Sequence, residues 1–253
     1  MMAMIRFDNV SYRVGKATLV HNLNFQIAAG ETVVLLGQSG SGKTTTLKLV
    51  NDLLMPTEGT VFVKDRSTRD WNPIRLRRLI GYVIQEVGLF PHFTVSENIG
   101  LVPRLEKWDA PKIRSRVEEV LQLVGLDPGK FSTRYPHQLS GGQRQRVGVA
   151  RALCADPNIL LLDEPFGALD PISRSEIQNE FQQLRMRLAK TMVFVTHDVA
   201  EAVLFGDRIG VMSEGKLVSL TSPKQFLESD DPMIQSFLKP LQNLVSITRA
   251  FRR

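Results

Sequence analysis

The stretch ETVVLLGQSGSGKTTT, residues 31–46, limits what this chain can fold into more than any other. A short, continuous apolar run ends in glycine, and a helical pattern starts directly after it. The run reads as a strand buried on both faces, because a strand with one wet face would alternate apolar and polar positions. Gly37, Gly42, Lys43 and Thr44 match the pattern G-x-x-x-x-G-K-[ST], with Gln38, Ser39, Gly40 and Ser41 between the glycines and Thr45 following. Each residue type has a chemical reason. The glycines let the backbone curl so that successive N–H groups face phosphate oxygens without a side-chain clash. Lys43 brings positive charge to the outer phosphates. The Thr44 hydroxyl is a hard oxygen ligand suited to Mg2+. A buried strand, a phosphate loop and a helix in this order predict an α/β fold.

A second small-residue turn, Ser140, Gly141 and Gly142, opens the helical pattern LSGGQRQRVGVARAL at 139–153. Free backbone N–H groups and the positive end of a helix dipole make such a turn an anion cradle. One cradle accounts for one nucleotide, so the second needs a separate explanation.

The 253 residues allow one large domain with a sizeable core. No apolar run approaches the roughly 18 residues of a membrane span. The start, MMAMIRFDNVSYRVG, lacks the long apolar core of a signal peptide. Cys154 is the single cysteine, so no intrachain disulfide forms. These features predict a chain that works in the cytosol. The net charge of +6 is scattered, with only small clusters such as RLRR (75–78) and the terminal RAFRR. That is the pattern of a solvated basic surface, a nucleic-acid or anionic-membrane surface being the sharper reading, and charge alone decides neither.

Along the chain, MIRFDNVSY and LNFQIA alternate with period two and read as half-buried strands. TTTLKLVNDLL reads as a helix, GTVFVK and LIGYVIQ as strands. From about 86 to 157 the pattern turns helical. There Ile113, Val117, Val120, Leu121 and Val124 form one apolar stripe, with Gly125 suited to the helix end. Beyond it, NILLLDE and TMVFVTH read as buried strands with SRSEIQNEFQQLRMRL as the helix between them. DRIGVMSEGKLVSL reads as a hairpin turning at Glu214-Gly215, and SPKQFLESDDPMIQSFL as one closing helix started by Ser222-Pro223. The expected core is a mostly parallel sheet with helices on both faces and an antiparallel edge from the N-terminal strands.

Asp163 ends an apolar strand, where a carboxylate can reach a bound Mg2+. Glu164 follows it and can polarise a water as a general base. His197 and Gln85 each end a strand in the same way, where open α/β sheets place ligands; position alone leaves them either structural or facing the γ-phosphate and its metal. Tyr12 reads as core or as a stacking surface for a purine, core being the commoner outcome. His21, His92 and His137 show no ligand spacing with one another or with Cys154, so no transition-metal site is expected.

Taken in order, Tyr12, GQSGSGKT, Gln85, LSGGQ, ILLLDE, GALD (167–170) and His197 resemble the ATP-binding subunit of an ABC transporter, over nearly the whole chain. LSGGQ shortly ahead of ILLLDEP is the specific part of the match. The resemblance implies a P-loop NTPase core at about 1–85 and 158–222, with an antiparallel N-terminal β subdomain and a helical subdomain at about 86–157. Together these make an ATPase domain over 1–240 with a short tail at 241–253. It implies ATP and Mg2+ as ligands, with Thr44, Gln85 and Asp163 at the metal and Glu164, His197 and Gln85 at the chemistry. It implies that Tyr12 stacks on adenine.

It also explains the second cradle. In this family two such subunits face head to tail, so Ser140, Gly141, Gly142 and Gln143 would hold the γ-phosphate of a partner's ATP, and Asp170 would contact the opposite subunit. A homodimer is expected. GLFPHFTVSENI (88–99) falls where the family receives the coupling helix of separate integral membrane permease subunits, on the cytoplasmic face of the membrane. A solute-binding protein would act with the permease.

More narrowly, NDLLMPTEGTVFV, IRLRRLIGYVIQEVGLFPHFTVSENI and LVPRL resemble ATPases of importers for glycine betaine, choline, carnitine and related osmoprotectants. Many of that group carry paired CBS modules after the ATPase domain, and only a short tail is expected here. An ATPase of another ABC transporter class, for amino acids or lipids, is the alternative, and two other readings are weaker. DNA-repair relatives carry a long coiled coil between the motif halves and translation relatives two motif sets, whereas this chain has one set and a compact insert, so the resemblance implies no nucleic-acid partner. A phosphotransferase has no use for a second γ-phosphate cradle.

Overall fold

The computed structural model describes residues 3–240 except Glu86 and Ala168. The expected tail LQNLVSITRAFRR at 241–253, and Ala168 of GALD, lie outside the described residues. The chain opens with a hairpin, β1 (Ala3–Val14) and β2 (Ala17–Ala28). It then runs through β3 (Thr32–Leu36) and α1 (Lys43–Val50) to β4 (Glu58–Val63) and β5 (Arg66–Ser67). Strands β2, β1, β4 and β5 pair antiparallel in that order. The period-two pattern buries Ile5, Phe7, Val20, Leu23 and Ile27 on one face, and Phe7 stacks on Phe25 with centroids 4.5 Å apart.

After α2 (Pro73–Arg78) comes β6 (Ile80–Val83). The chain then forms α3 (Val95–Ile99), α4 (Leu101–Leu105), α5 (Ala110–Leu123), α6 (Pro128–Phe131) and α7 (Gly141–Leu153) before strand geometry resumes. The last part is β7 (Ile159–Asp163), α8 (Pro171–Leu188), β8 (Thr191–Thr196), α9 (Val199–Phe205), β9 (Arg208–Ser213), β10 (Lys216–Thr221) and α10 (Pro223–Leu227).

The second sheet has the order β10-β9-β3-β8-β7-β6. All its pairings are parallel except β10 with β9. The antiparallel edge is therefore β10, turned back at Glu214 (φ 48°) and Gly215 (φ 77°); the N-terminal strands form a sheet of their own instead. Every residue of β3, β7 and β8 is buried, as continuous apolar runs require. Each buried large aliphatic side chain in these strands contributes about 1.5–3 kcal/mol. Alternate residues serve two cores. Val33, Leu35, Leu161 and Val195 face α1 and the antiparallel sheet. Val34, Leu162, Phe194 and Val211 face the helices, where Val117, Val120 and Val147 of the inserted helical stretch join the same cluster. Phe166, Phe181, Phe194 and Phe205 meet there with Phe181 and Phe205 edge to face at 5.4 Å.

Two expected helices end sooner than their patterns suggest. The helix after the phosphate loop stops at Val50, because Asp52 turns left-handed (φ 54°) and the Leu53 and Leu54 N–H groups both close on the Lys48 carbonyl at 3.0 Å. The closing helix is split. Ser222 caps α10 through a capping box with Gln225, and a separate helical stretch, 232–240, begins at Pro232 because Asp231 Oδ1 accepts from the Met233 N–H at 2.8 Å.

Candidate functional site

Parallel register brings the C-terminal ends of four strands level. Leu36 of β3 pairs with Thr196 of β8, Asp163 of β7 with Val195, and Val83 of β6 with Leu162. Whatever follows these strands therefore shares one edge of the sheet. The phosphate loop follows β3. Gly37 has no room for a side chain, since a Cβ would lie 2.4 Å from the Met212 carbonyl oxygen. Gly42 sits at φ 97° as the N-cap of α1, and a Cβ there would meet the Leu19 carbonyl oxygen at 2.6 Å. No side chain caps α1, so its first N–H groups are left to an anion in the loop. Lys43 is buried, and Nζ donates to the Gly37 and Gln38 carbonyls, both at 2.8 Å. Burial lowers its pKa, opposed by the charges of Glu164 and Asp163.

The Thr44 hydroxyl donates to Asp163 Oδ1 at 2.8 Å, and the Tyr82 hydroxyl donates to Oδ2 at 3.2 Å. Burial raises the Asp163 pKa against these two hydrogen bonds, and burial next to Asp163 also raises that of Tyr82. One residue on, Glu164 keeps a strand-like bond from its N–H to the Val195 carbonyl at 2.9 Å, yet its φ is 44°. Gln85 Nε2 donates to Glu164 Oε2 at 3.3 Å, and His197 Nδ1 lies 3.2 Å from the same oxygen. The phosphate loop, Gln85, Glu164 and His197 line one cleft of about 670 Å3, within the roughly 300–1,000 Å3 typical of small-molecule sites.

Leu19 and Phe237 also line this cleft, and neither was singled out from the sequence. Tyr82 was missed as well. Period two puts it on one face of β6, but only the β6–β7 pairing places it beside Asp163. Tyr12 is half-buried against the core of the antiparallel sheet and is not among the cleft residues.

Ser140, Gly141, Gly142 and Gln143 are not in the cleft either. They form the exposed N-terminus of α7. Ser140 Oγ accepts from the Gln143 N–H at 3.2 Å, and Gln143 Oε1 accepts from the Ser140 N–H at 3.0 Å. Gly142 lets α7 approach α8: a Cβ there would lie 2.9 Å from Ile177 Cδ1. Arg146 of α7 pairs with Glu180 of α8. Asp170 caps α8, with Oδ1 accepting from the Ser173 N–H at 3.0 Å, and these Ser173 hydrogen bonds hold its carboxyl low. Two helix tips thus form a second polar surface apart from the first.

Residues 88–99 wrap around buried Asn98, whose Nδ2 donates to the carbonyls of Phe90, Phe93 and Thr94 at 3.0–3.1 Å. Beside this loop lies a groove of about 230 Å3 that includes Arg77, Arg78, Phe90, Leu101 and Arg151.

Residues 20–167 match the family model described as ABC transporter. The choline transport ATP-binding protein OpuBA of Bacillus subtilis is 48% identical over 238 residues, covering 93% of this chain and 62% of that protein. The osmoprotectant import ATP-binding protein OsmV of Salmonella typhimurium is 50% identical over 208 residues, covering 82% of this chain and 54% of that protein. The chain thus spans less than two thirds of the length of these relatives. Among solved structures, the dimeric post-hydrolysis state of the ATP-binding cassette MJ0796 bound to ADP and Pi superposes with a TM-score of 0.77 at 37% identity, covering 87% of this chain and 99% of that one. The phosphate loop, the carboxylate pair at the end of β7 and the serine-glycine tip of α7 therefore sit in a cassette of known kind, and the chain belongs to the ABC transporter family.

Proposed function

We propose that this chain hydrolyses ATP in the cleft at the end of β3, and that hydrolysis powers solute import through separate membrane subunits. The observation that carries this reading is the convergence of Gln85 and His197 on one oxygen of Glu164, beside Lys43, Thr44 and Asp163. Glu164 acts as general base on a water, and His197 and Gln85 orient that carboxylate and the γ-phosphate. The loop N–H groups and Lys43 hold the phosphates, with Gln38, Ser39, Gly40, Ser41 and Thr45 completing the loop.

The residues fit a Mg2+ ion. Thr44 and Asp163 supply hard oxygens already 2.8 Å apart, and Gln85 offers a third. Among the described residues there is no cluster of three or more His, Cys, Asp or Glu able to hold a metal, which suits an ion that leans on substrate phosphates and water. Bound there, Mg2+ would neutralise charge on the phosphates.

Ser140, Gly141, Gly142, Gln143 and Asp170 then serve the ATP of a second copy, and Tyr12 stacks on adenine. Residues 86–157 form the helical subdomain, and the arginine-lined groove by Phe90 receives the permease. No helix among the described residues is long and apolar enough to cross a membrane. The permease is read as a separate integral membrane chain, with this subunit on its cytoplasmic side. The printed names of the relatives, choline transport and osmoprotectant import, support a quaternary-amine osmoprotectant as the solute.

In the test, the purified chain hydrolyses Mg·ATP, and Glu164→Gln slows turnover by about 10²–10⁴-fold while nucleotide affinity is kept. Cells holding the chain and its permease take up labelled choline or glycine betaine, and the same variant stops uptake. Wild-type turnover in Glu164→Gln would remove Glu164 from its role, and turnover without uptake of either solute would remove the solute assignment.

A further inference from the structure

Glu201, in the first turn of α9, is only 4% exposed and has no part in the chemistry assigned above. A buried carboxylate is costly unless its oxygens are hydrogen-bonded, and these are. Oε2 accepts from the Thr196 hydroxyl at 2.5 Å, and Oε1 accepts from Gln178 Nε2 at 2.8 Å. The Thr196 oxygen in turn accepts from the Asp198 N–H at 2.9 Å. A hydroxyl has one proton to give. Because the carboxylate takes that proton, the Thr196 lone pairs are left for Asp198 N–H. Thr196 and Asp198 are the two chain neighbours of His197, so Glu201 braces the turn that presents His197 to Glu164.

The other end of the brace lies on α8. Gln178 is one turn beyond Arg174, whose Nη2 donates to the Gly167 and Leu169 carbonyls at 3.5 and 3.2 Å. These carbonyls belong to the loop ending at Asp170, the cap of α8. Arg174 also favours the ionised form of Glu201 by charge, whereas Asp198 disfavours it.

We propose that Glu201 is a positioning residue for His197, and that Gln178 joins this brace to the loop carrying Asp170, so that displacement of that loop is felt at the His197–Glu164 pair. The proposal rests on the ATPase reading and deepens it. It assigns a route from the surface expected to meet a second copy to the group beside the general base.

The test uses the full chain. Gln178 is half-buried, so Gln178→Ala severs the brace without opening the core. It should lower kcat about tenfold with KM for ATP unchanged, the split expected when an interaction made only in the transition state is lost. Glu201→Ala should do the same, and the double variant should be no slower than either single one, because both cut one chain of contacts. Glu201→Gln should restore most of kcat, since its amide can accept from Thr196 and donate to the Gln178 oxygen once that amide flips. Separately, the ring 15N signals of His197 should shift in Gln178→Ala with no nucleotide present. Unchanged His197 signals overturn the proposal, as does wild-type kcat in both alanine variants. A wild-type chain that never turns over Mg·ATP sinks the ATPase reading instead, and the nucleotide-free His197 signals still decide the brace.

Discussion

The backbone of Glu164 sits at φ 44°, a region that costs a non-glycine residue about 1–2 kcal/mol. Strain of this kind persists where surrounding structure over-determines it. Here the N–H bond to Val195 and the contacts from Gln85 and His197 hold the residue on both sides. The identity and place of Glu164 were legible in NILLLDE, but its backbone conformation was not. Glu201 is a residue that no motif marked. Burial, and then the charge of Asp198, raise its pKa, while Thr196, Gln178 and Arg174 oppose them. A carboxyl whose folded pKa is raised gives stability that is complete below the unfolded value, roughly 4.3, and is lost as pH rises through the folded value. Glu201→Gln keeps the neutral form at every pH. Its melting temperature should therefore exceed that of the wild type at pH 8, and the gap should close toward pH 4, as read by paired thermal melts. An equal gap at both pH values would exclude a titrating Glu201.

The turn between β3 and α1 depends on two glycines for different reasons. Gly37 faces the Met212 carbonyl, whereas Gly42 needs both its φ of 97° and the space beside Leu19. Gly42→Ala should cost about 2 kcal/mol or more in chemical denaturation, because it adds a left-handed penalty to a backbone contact that cannot yield. An unchanged denaturation midpoint would refute that account. The pattern G-x-x-x-x-G-K-[ST] identified both positions beforehand. Of the inserted helices, α5 and α7 were equally visible: Val117, Val120, Leu121 and Val124 of the stripe are buried, Ile113 is half-buried, and Gly125 follows at φ 72°. Helix ends were harder to read. The breaks after Val50 and before Pro232 turn on one left-handed aspartate and one capping aspartate, and an apolar stripe carries no information about either.

The two polar surfaces of the molecule lie apart, one in the cleft and one at the tips of α7 and α8. If the second serves another copy's nucleotide, blocking it should leave the first intact. Ser140→Arg should keep the nucleotide affinity of the single chain and abolish ATP-dependent dimerisation in a Glu164→Gln background, followed by size-exclusion chromatography with light scattering. Loss of nucleotide affinity in the single chain would mean instead that Ser140 serves its own cleft.

Much of this protein follows from near neighbours in the chain. Continuous apolar runs, period-two alternation, capping serines and the glycine-lysine loop are local features. The buried strands, the starts of α7 and α10 and the chemistry of the phosphate loop were therefore available before any fold was known. Other contacts depend on how distant segments are stacked. Tyr82 reaches Asp163 across 81 positions and Thr44 reaches it across 119. Leu19 and Phe237 enter the cleft from opposite ends of the chain, and β10 rather than an N-terminal strand closes the parallel sheet. No periodicity encodes the order of strands in a sheet, and that order decides which side chains meet once burial of β3, β7 and β8 has brought the segments together.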